Sequence, residues 1–310
     1  MKKVIQMAKK IENNEIDDIL NELDNVLKDR PVPALEKTAP VILTGSDKHF
    51  SKPFVLPGRE TLNRYFNEEI VDFFKNKEAY EAMGIKNVGA TLLYGPPGTG
   101  KTHAVTEFAK YLGFPVFEIN SLTVGDTYVH GTPKKIAKVF EKAKAAAPSV
   151  LIIDEMETYM GKRCNDDWKA KLEETDEFLR NIPTAVDSQV VIFGMTNMLK
   201  DIDPAILRKG RFDNQIEVGP ANKEEILAVL KYELTKTKAK ARMDLGSYAE
   251  ALKGRPLSDV SFMVRQAIRN AVHRGRQRVD EADLTAGLEK LKAAPQSAGA
   301  PHRAIGFCCA

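Results

Sequence analysis

Cysteine is scarce: three in 310 residues, with Cys164 alone and Cys308 and Cys309 adjacent near the end. No pair has the spacing of a zinc site, and so few thiols argue against a disulfide framework. A reduced, cytoplasmic protein is the expectation. Long apolar runs are also missing. No stretch approaches the roughly 18 apolar residues that span a bilayer, so no membrane association is expected. The lysines near the start are not followed by the apolar core of about 7–15 residues that a secretory leader needs. Charge of one sign is missing as well. Lys and Arg number 46 against 43 Asp and Glu, a net +3 that is too small to argue for nucleic acid. No His-Glu-x-x-His motif occurs, which excludes that zinc-protease signature from these residues. No helix-turn-helix or RNA-binding signature appears, and no internal repeat.

What is present suits a globular protein of one large or two modest domains: 43% hydrophobic and 29% charged residues. The chain reads as four parts. Residues 1–58 are an N-terminal helix and linker. Ile16, Ile19, Leu20, Leu23, Val26 and Leu27 fall at helical spacing, and residues 31–58 are broken by Pro31, Pro33, Pro40, Pro53 and Pro57. Residues 59–219 are a large α/β domain. Ala90–Tyr94, Val150–Ile153 and Val190–Met195 read as buried strands, alternating with helices that include Lys101–Leu112 and Lys134–Ala146. That alternation predicts a parallel sheet with helices on both faces, and ligands at the carboxyl ends of its strands. Residues 220–293 show helical periodicity only and read as a small helical lid domain; residues 294–310 read as a tail.

Two motifs carry the chemistry. Gly95-Pro96-Pro97-Gly98-Thr99-Gly100-Lys101-Thr102 follows an apolar strand and opens a helix, the context that a phosphate-binding loop requires. Its glycines let successive backbone N–H groups turn toward one point, at a helix N-terminus that favours phosphate. Lys101 supplies charge for the β- and γ-phosphates, and Thr102 supplies a hydroxyl for Mg²⁺. The second motif, Val150-Leu-Ile-Ile-Asp154-Glu155, is a buried strand that ends in two carboxylates. Asp154 is placed to hold the metal, and Glu155 to activate a water as general base.

Together these motifs resemble the AAA clade of the AAA+ ATPases, over roughly residues 56–290. The resemblance implies a P-loop NTPase-type α/β sheet with a C-terminal helical lid, ATP and Mg²⁺ as nucleotide and metal, and hydrolysis of ATP to ADP and phosphate. Gly194-Met-Thr-Asn197 resembles the clade's sensor-1 strand end, with Asn197 positioning the attacking water. Ile202-Asp-Pro-Ala-Ile-Leu-Arg208-Lys-Gly-Arg211-Phe-Asp213 is similar to its arginine-finger segment. By that resemblance Arg208 and Arg211 reach the nucleotide of a neighbouring subunit, which implies a homo-oligomeric ring, a hexamer. Gly254-Arg-Pro-Leu-Ser258-Asp-Val260 departs from the clade's usual pattern and is expected near the adenine and ribose, with Arg255 facing solvent.

Tyr128 and Val129 fall where the clade carries its pore loop, with His130 in place of the expected glycine. Their implied role is to grip an extended polypeptide. The basic, polar stretch from Gly161 to Trp168 resembles a second pore-facing loop. The expectation is an ATP-driven protein remodeller or unfoldase. Leu56-Pro-Gly-Arg-Glu60 and Arg255–Val260 look similar to small bacterial AAA ATPases that remodel HORMA-domain proteins in antiphage operons, which offers a HORMA-domain protein as substrate. The alternative is a DNA-acting loader or initiator, suggested by the basic run Arg265, Arg269, His273, Arg274, Arg276 and Arg278. A scaffold that hydrolyses poorly is disfavoured by intact Glu155, Asn197, Arg208 and Arg211.

Overall fold

A computed structural model describes residues 50–124, 131–161, 168–235 and 243–293. Among them, β1 (Thr91–Tyr94), β2 (Val116–Ile119), β3 (Ser149–Ile153), β4 (Val190–Thr196) and β5 (Asn214–Glu217) form one sheet. Its order is β2-β3-β4-β1-β5, and every pairing is parallel. The three strands expected from the sequence are the three central ones. They read as continuous apolar runs because both of their faces are covered. Leu92, Leu151, Ile153 and Ile192 face one core with Phe140 and Phe178. Leu93, Val150, Ile152 and Phe193 face the other with Phe66, Phe108 and Leu112. The two strands without an apolar run, β2 and β5, are the sheet edges. There exposed and covered positions alternate, as in Asn214-Gln-Ile-Glu217, so continuous hydrophobicity is lost.

The first core is roofed by α6 (Gly131–Ala145) and α7 (Trp168–Asp187), with α5 (Ser121–Val124) leading into α6. Helix α6 starts three residues ahead of the expected Lys134, because Pro133 sits in the first turn, where its missing N–H breaks no helical bond. The second core is covered by α4 (Lys101–Leu112), which coincides with its expected span, and by a helical segment before β1. That segment comprises α1 (Glu60–Tyr65), a π-helical turn (Phe66–Val71), α2 (Asp72–Lys75) and α3 (Lys77–Ala82). Phe66 and Phe108 stack with ring centroids 4.2 Å apart.

The linker assignment for residues 31–58 needs correction at its end. Phe50, Phe54 and Leu56 are buried in the second core, so the α/β body begins before residue 59. Two asparagines stand in for a neighbouring strand. Asn67 bonds both the N–H and the carbonyl of Phe54 at 2.9 and 2.8 Å, and Asn63 does the same for Leu56 at 2.6 and 2.9 Å. Side chains satisfy this backbone without regular structure, so neither helical nor strand periodicity marks it. The expected N-terminal helix, the remainder of the linker and the tail from 294 lie outside the described residues.

The lid consists of α8 (Lys223–Thr235), α9 (Leu245–Ala251), α10 (Leu257–His273) and α11 (Glu281–Ala293) around its own core of Ile226, Leu230, Val260, Met263 and Leu284. Helix α8 opens with a reciprocal cap: the Asn222 N–H donates to Glu225 at 2.8 Å, and the Glu225 N–H donates to Asn222 at 2.8 Å. In the first turn of α11, Asp283 is fully buried and accepts Arg274 at 3.2 Å and Arg276 at 2.8 Å, both from the connection that follows α10. Two arginines of the basic run are thereby committed inside the lid, and Arg265 donates to the Ser261 carbonyl at 3.2 Å. No described helix is long and apolar enough to cross a membrane.

Candidate functional site

A cavity of about 420 Å³ opens where the carboxyl ends of the central strands meet the lid, the place the sheet topology reserves for ligands. The phosphate loop contributes Pro97, Gly98, Gly100, Lys101, Thr102 and His103 to its wall; the strand ends contribute Asp154, Glu155, Thr196 and Asn197. The lid supplies Val229, Tyr232, Glu233, Leu257, Ser258 and Ser261, and the segment before α1 supplies Leu56, Pro57 and Arg59. Pocket volumes of this order suit a nucleotide-sized ligand.

Gly98 has φ +75, and a Cβ there would lie 2.7 Å from the Pro256 ring, so only glycine lets the loop pass under the lid. The Leu257 N–H donates to the Gly98 carbonyl at 3.0 Å, which joins lid and loop directly. Of segment 254–260, Leu257 and Ser258 line the cavity. Arg255 is not simply solvent-facing: it is half-buried and pairs with Asp259 at 3.2 Å. Gly95, Pro96 and Thr99 do not line the cavity. They shape the loop from behind, with Thr99 buried and its hydroxyl donating to the Pro96 carbonyl at 3.0 Å.

Lys101 heads α4 and is largely buried. Its ammonium donates to the carbonyls of Gly95 (2.7 Å) and Pro96 (3.0 Å) and to Oδ1 of Asn197 (2.8 Å). Burial lowers its pKa below the usual lysine value, opposed by the nearby carboxylates of Asp154 and Glu157. Asn197, at the end of β4, is thus brought onto the phosphate loop across 96 residues of sequence. Asp154 accepts the Thr102 hydroxyl at 3.2 Å through Oδ2 and the Glu155 N–H at 2.9 Å through Oδ1. Glu155 has φ +50, a left-handed conformation that costs a non-glycine residue about 1–2 kcal/mol. Backbone strain of this kind concentrates at functional sites, and here it falls on the residue assigned as base.

The residues present fit Mg²⁺. Among the described residues no cluster of three or more His, Cys, Asp or Glu could hold an ion by itself. Mg²⁺ needs no such cage, since one or two protein oxygens plus substrate phosphates commonly suffice. The Thr102–Asp154 pair supplies those oxygens beside the phosphate loop.

Arg208 and Arg211 lie in the turn between β4 and β5, and neither lines this cavity. Arg208 is exposed and has no partner among the described residues. Arg211 donates to the Ala205 carbonyl of its own chain. Tyr128, Val129 and residues 162–167 of the second loop lie outside the described residues. Sequence reasoning assigned no role to His103, although it directly follows Thr102, nor to Arg59 or the apolar lid residues, which no motif marks.

Comparison with known proteins agrees with this geometry. Residues 91–220 match the family described as "ATPase family associated with various cellular activities (AAA)". The chain is 33% identical over 240 residues to the ATP-dependent zinc metalloprotease FtsH of Pseudomonas putida, an alignment of 76% of this chain and 39% of that protein. It is 31% identical over 234 residues to the ATP-dependent zinc metalloprotease FtsH 2 of Symbiobacterium thermophilum, covering 73% of this chain and 39% of the relative. The chain thus spans about two fifths of the length of these two relatives. With its parallel sheet, phosphate loop and paired acids in place, the chain carries an AAA-family ATPase domain, homologous to those of the FtsH proteins, that uses ATP with Mg²⁺.

Proposed function

We propose that this chain is an ATP-driven protein remodeller or unfoldase that works as a homo-oligomeric ring, a hexamer, and pulls on a polypeptide through a central pore loop. The observation that supports it most is the composition of the cavity. The phosphate loop and Glu155 form one wall and the lid the other, so the occupant of the cavity bears on both domains. Loop N–H groups and Lys101 hold phosphate, with Lys101 exchanging its carbonyl partners for phosphate oxygens. Asn197 orients a water, and Glu155 takes its proton. Thr102 and Asp154 would hold Mg²⁺, which when bound would supply positive charge against the phosphates. Arg208 and Arg211 are free of this chain's own site, as fingers for a neighbour's nucleotide must be.

A protein substrate is favoured by two facts. The relatives are named as ATP-dependent zinc metalloproteases, and Tyr128 falls in the sequence where the AAA clade carries its pore loop. These 310 residues hold no His-Glu-x-x-His, so the proposal concerns the pulling step and not peptide cleavage. The narrower reading, a HORMA-domain substrate in antiphage signalling, rests on the resemblance of Leu56–Glu60 and Arg255–Val260. A DNA-acting role loses support because Arg274 and Arg276 are engaged with Asp283.

The test uses a HORMA-domain protein and an unrelated folded protein with an unstructured tail. Tyr128→Ala should lose unfolding of a protein substrate far more than it loses ATP hydrolysis, with an unchanged melting curve. Unfolding at the parent rate would rule out threading by this loop. Retention of the HORMA protein alone by the Glu155→Gln form would support the narrower reading, and retention of neither would remove it.

A further inference from the structure

We infer that Arg59 is a positioning residue whose buried guanidinium clasps the phosphate loop, the interdomain turn and the first lid helix together, and so sets how fast nucleotide leaves the cavity. The side chain is 8% exposed. Its Nη2 donates to the Thr99 carbonyl at 2.6 Å, its Nη1 donates to the Gly219 carbonyl at 3.2 Å, and Nη1 lies 3.7 Å from the Glu225 carboxylate. One cation thus touches three elements: the loop between Gly98 and Gly100, the turn that leaves β5 for the lid, and the start of α8.

Each contact bears on the nucleotide. The Thr99 carbonyl and the Gly100 N–H belong to one peptide unit and point in opposite directions in a trans bond. Holding the carbonyl therefore also fixes the direction of the Gly100 N–H in the loop that faces phosphate. Glu225 closes the reciprocal cap with Asn222, and α8 carries Val229, Tyr232 and Glu233 on the cavity wall. Tension on Glu225 is therefore tension on the lid side of the site. The chain is built to pass this close. Gly58 has φ +66, and a Cβ there would sit 2.3 Å from the Glu225 carbonyl oxygen, so any other residue would push α8 away. Burial lowers the arginine's pKa and Glu225 raises it again, which makes the ion pair the counterweight to desolvation.

An ordinary exposed ion pair would contribute little. Here, removing the cation leaves the Thr99 carbonyl, in the phosphate loop, without its donor and the Glu225 carboxylate, at the start of the lid, without its charge partner. Tight nucleotide retention then requires all three contacts at once, and lid opening requires breaking them.

The experiment measures dissociation of a fluorescent ADP analogue by stopped flow, together with melting, for the parent chain, Arg59→Met, Glu225→Gln and the double variant. Because the inference rests on the nucleotide reading of the cavity, the parent must first bind the analogue; if it does not, both ideas fall. Given binding, Arg59→Met should release ADP about tenfold faster, within the usual range of coupling between sites. Glu225→Gln should act in the same direction but less, and the double variant should be no faster than Arg59→Met, since both remove one interaction. Arg59→Lys, which keeps the charge but not the forked reach, should restore release only in part. Parent-like release from a folded Arg59→Met, or fully additive effects of the two substitutions, would overturn the clasp while leaving the nucleotide reading intact. If Arg59→Met does not fold, Glu225→Gln alone decides: unchanged ADP release from it overturns the inference.

Discussion

The two ends of the nucleotide cavity are built by different means. The phosphate end comes from two short runs, 95–102 and 154–155, whose groups converge because the backbone itself turns them inward. The lid end comes from Leu56, Pro57, Val229, Tyr232 and Leu257, apolar residues scattered over about two thirds of the chain and brought together only by the packing of the lid on the α/β domain. The first end depends on charge and backbone direction, and the second on area and fit. Losses at the first should therefore appear as lost chemistry, and losses at the second as graded changes of affinity.

The largest effect is expected where, in the proposed ring, a second subunit completes the phosphate end. Arg211→Ala should lower ATP turnover by about 10³–10⁵, the worth of an arginine finger. Lys101→Ala should be nearly inactive through loss of binding. Mixing the two should restore part of the activity, because some interfaces then pair an intact loop with an intact finger. Confirmed mixed rings with no recovery would show that Arg211 does not act in trans. Next comes Glu155→Gln, which should cut turnover by about 10²–10⁴, the usual contribution of a positioned base, and leave ATP affinity within a few-fold. Phosphate release and equilibrium binding measured on the same preparation separate the two; turnover at the parent rate would remove Glu155 as base. The smallest effect belongs to the lid end. Val229→Ala removes two carbons at about 0.8 kcal/mol per carbon buried, so ATP affinity should fall by about 15-fold at most. Inorganic triphosphate affinity should not change. A fall in turnover at saturating ATP as large as that of Glu155→Gln would erase the distinction between the two ends.

The legibility of the fold divides along a similar line. The central strands were visible as continuous apolar runs because both faces of each are buried. The edge strands β2 and β5 were not, because one side meets solvent and their composition is mixed. Helix α4 was visible because the phosphate loop that starts it is a local signal, and the structure ends it at Gly113 in the left-handed conformation. Phe50, Phe54 and Leu56 were hidden in a proline-rich stretch. What orders them is hydrogen bonding from Asn63 and Asn67, which leaves no periodic trace.

By itself the sequence determined the parallel sheet, the phosphate loop and the paired acids. Each of these is a property of neighbouring residues: a run of apolar side chains, a series of glycines, two carboxylates at a strand end. Only the tertiary structure decided that Asn197 accepts the Lys101 ammonium, that Arg211 rests on the Ala205 carbonyl, and that Arg59 clasps the loop and the lid. Arg59 finds Thr99 40 residues away and Gly219 160 residues away. Such contacts form because two domains pack and bury a charge that must then find partners, and buried polar groups leave no sequence pattern until the walls that bury them are known.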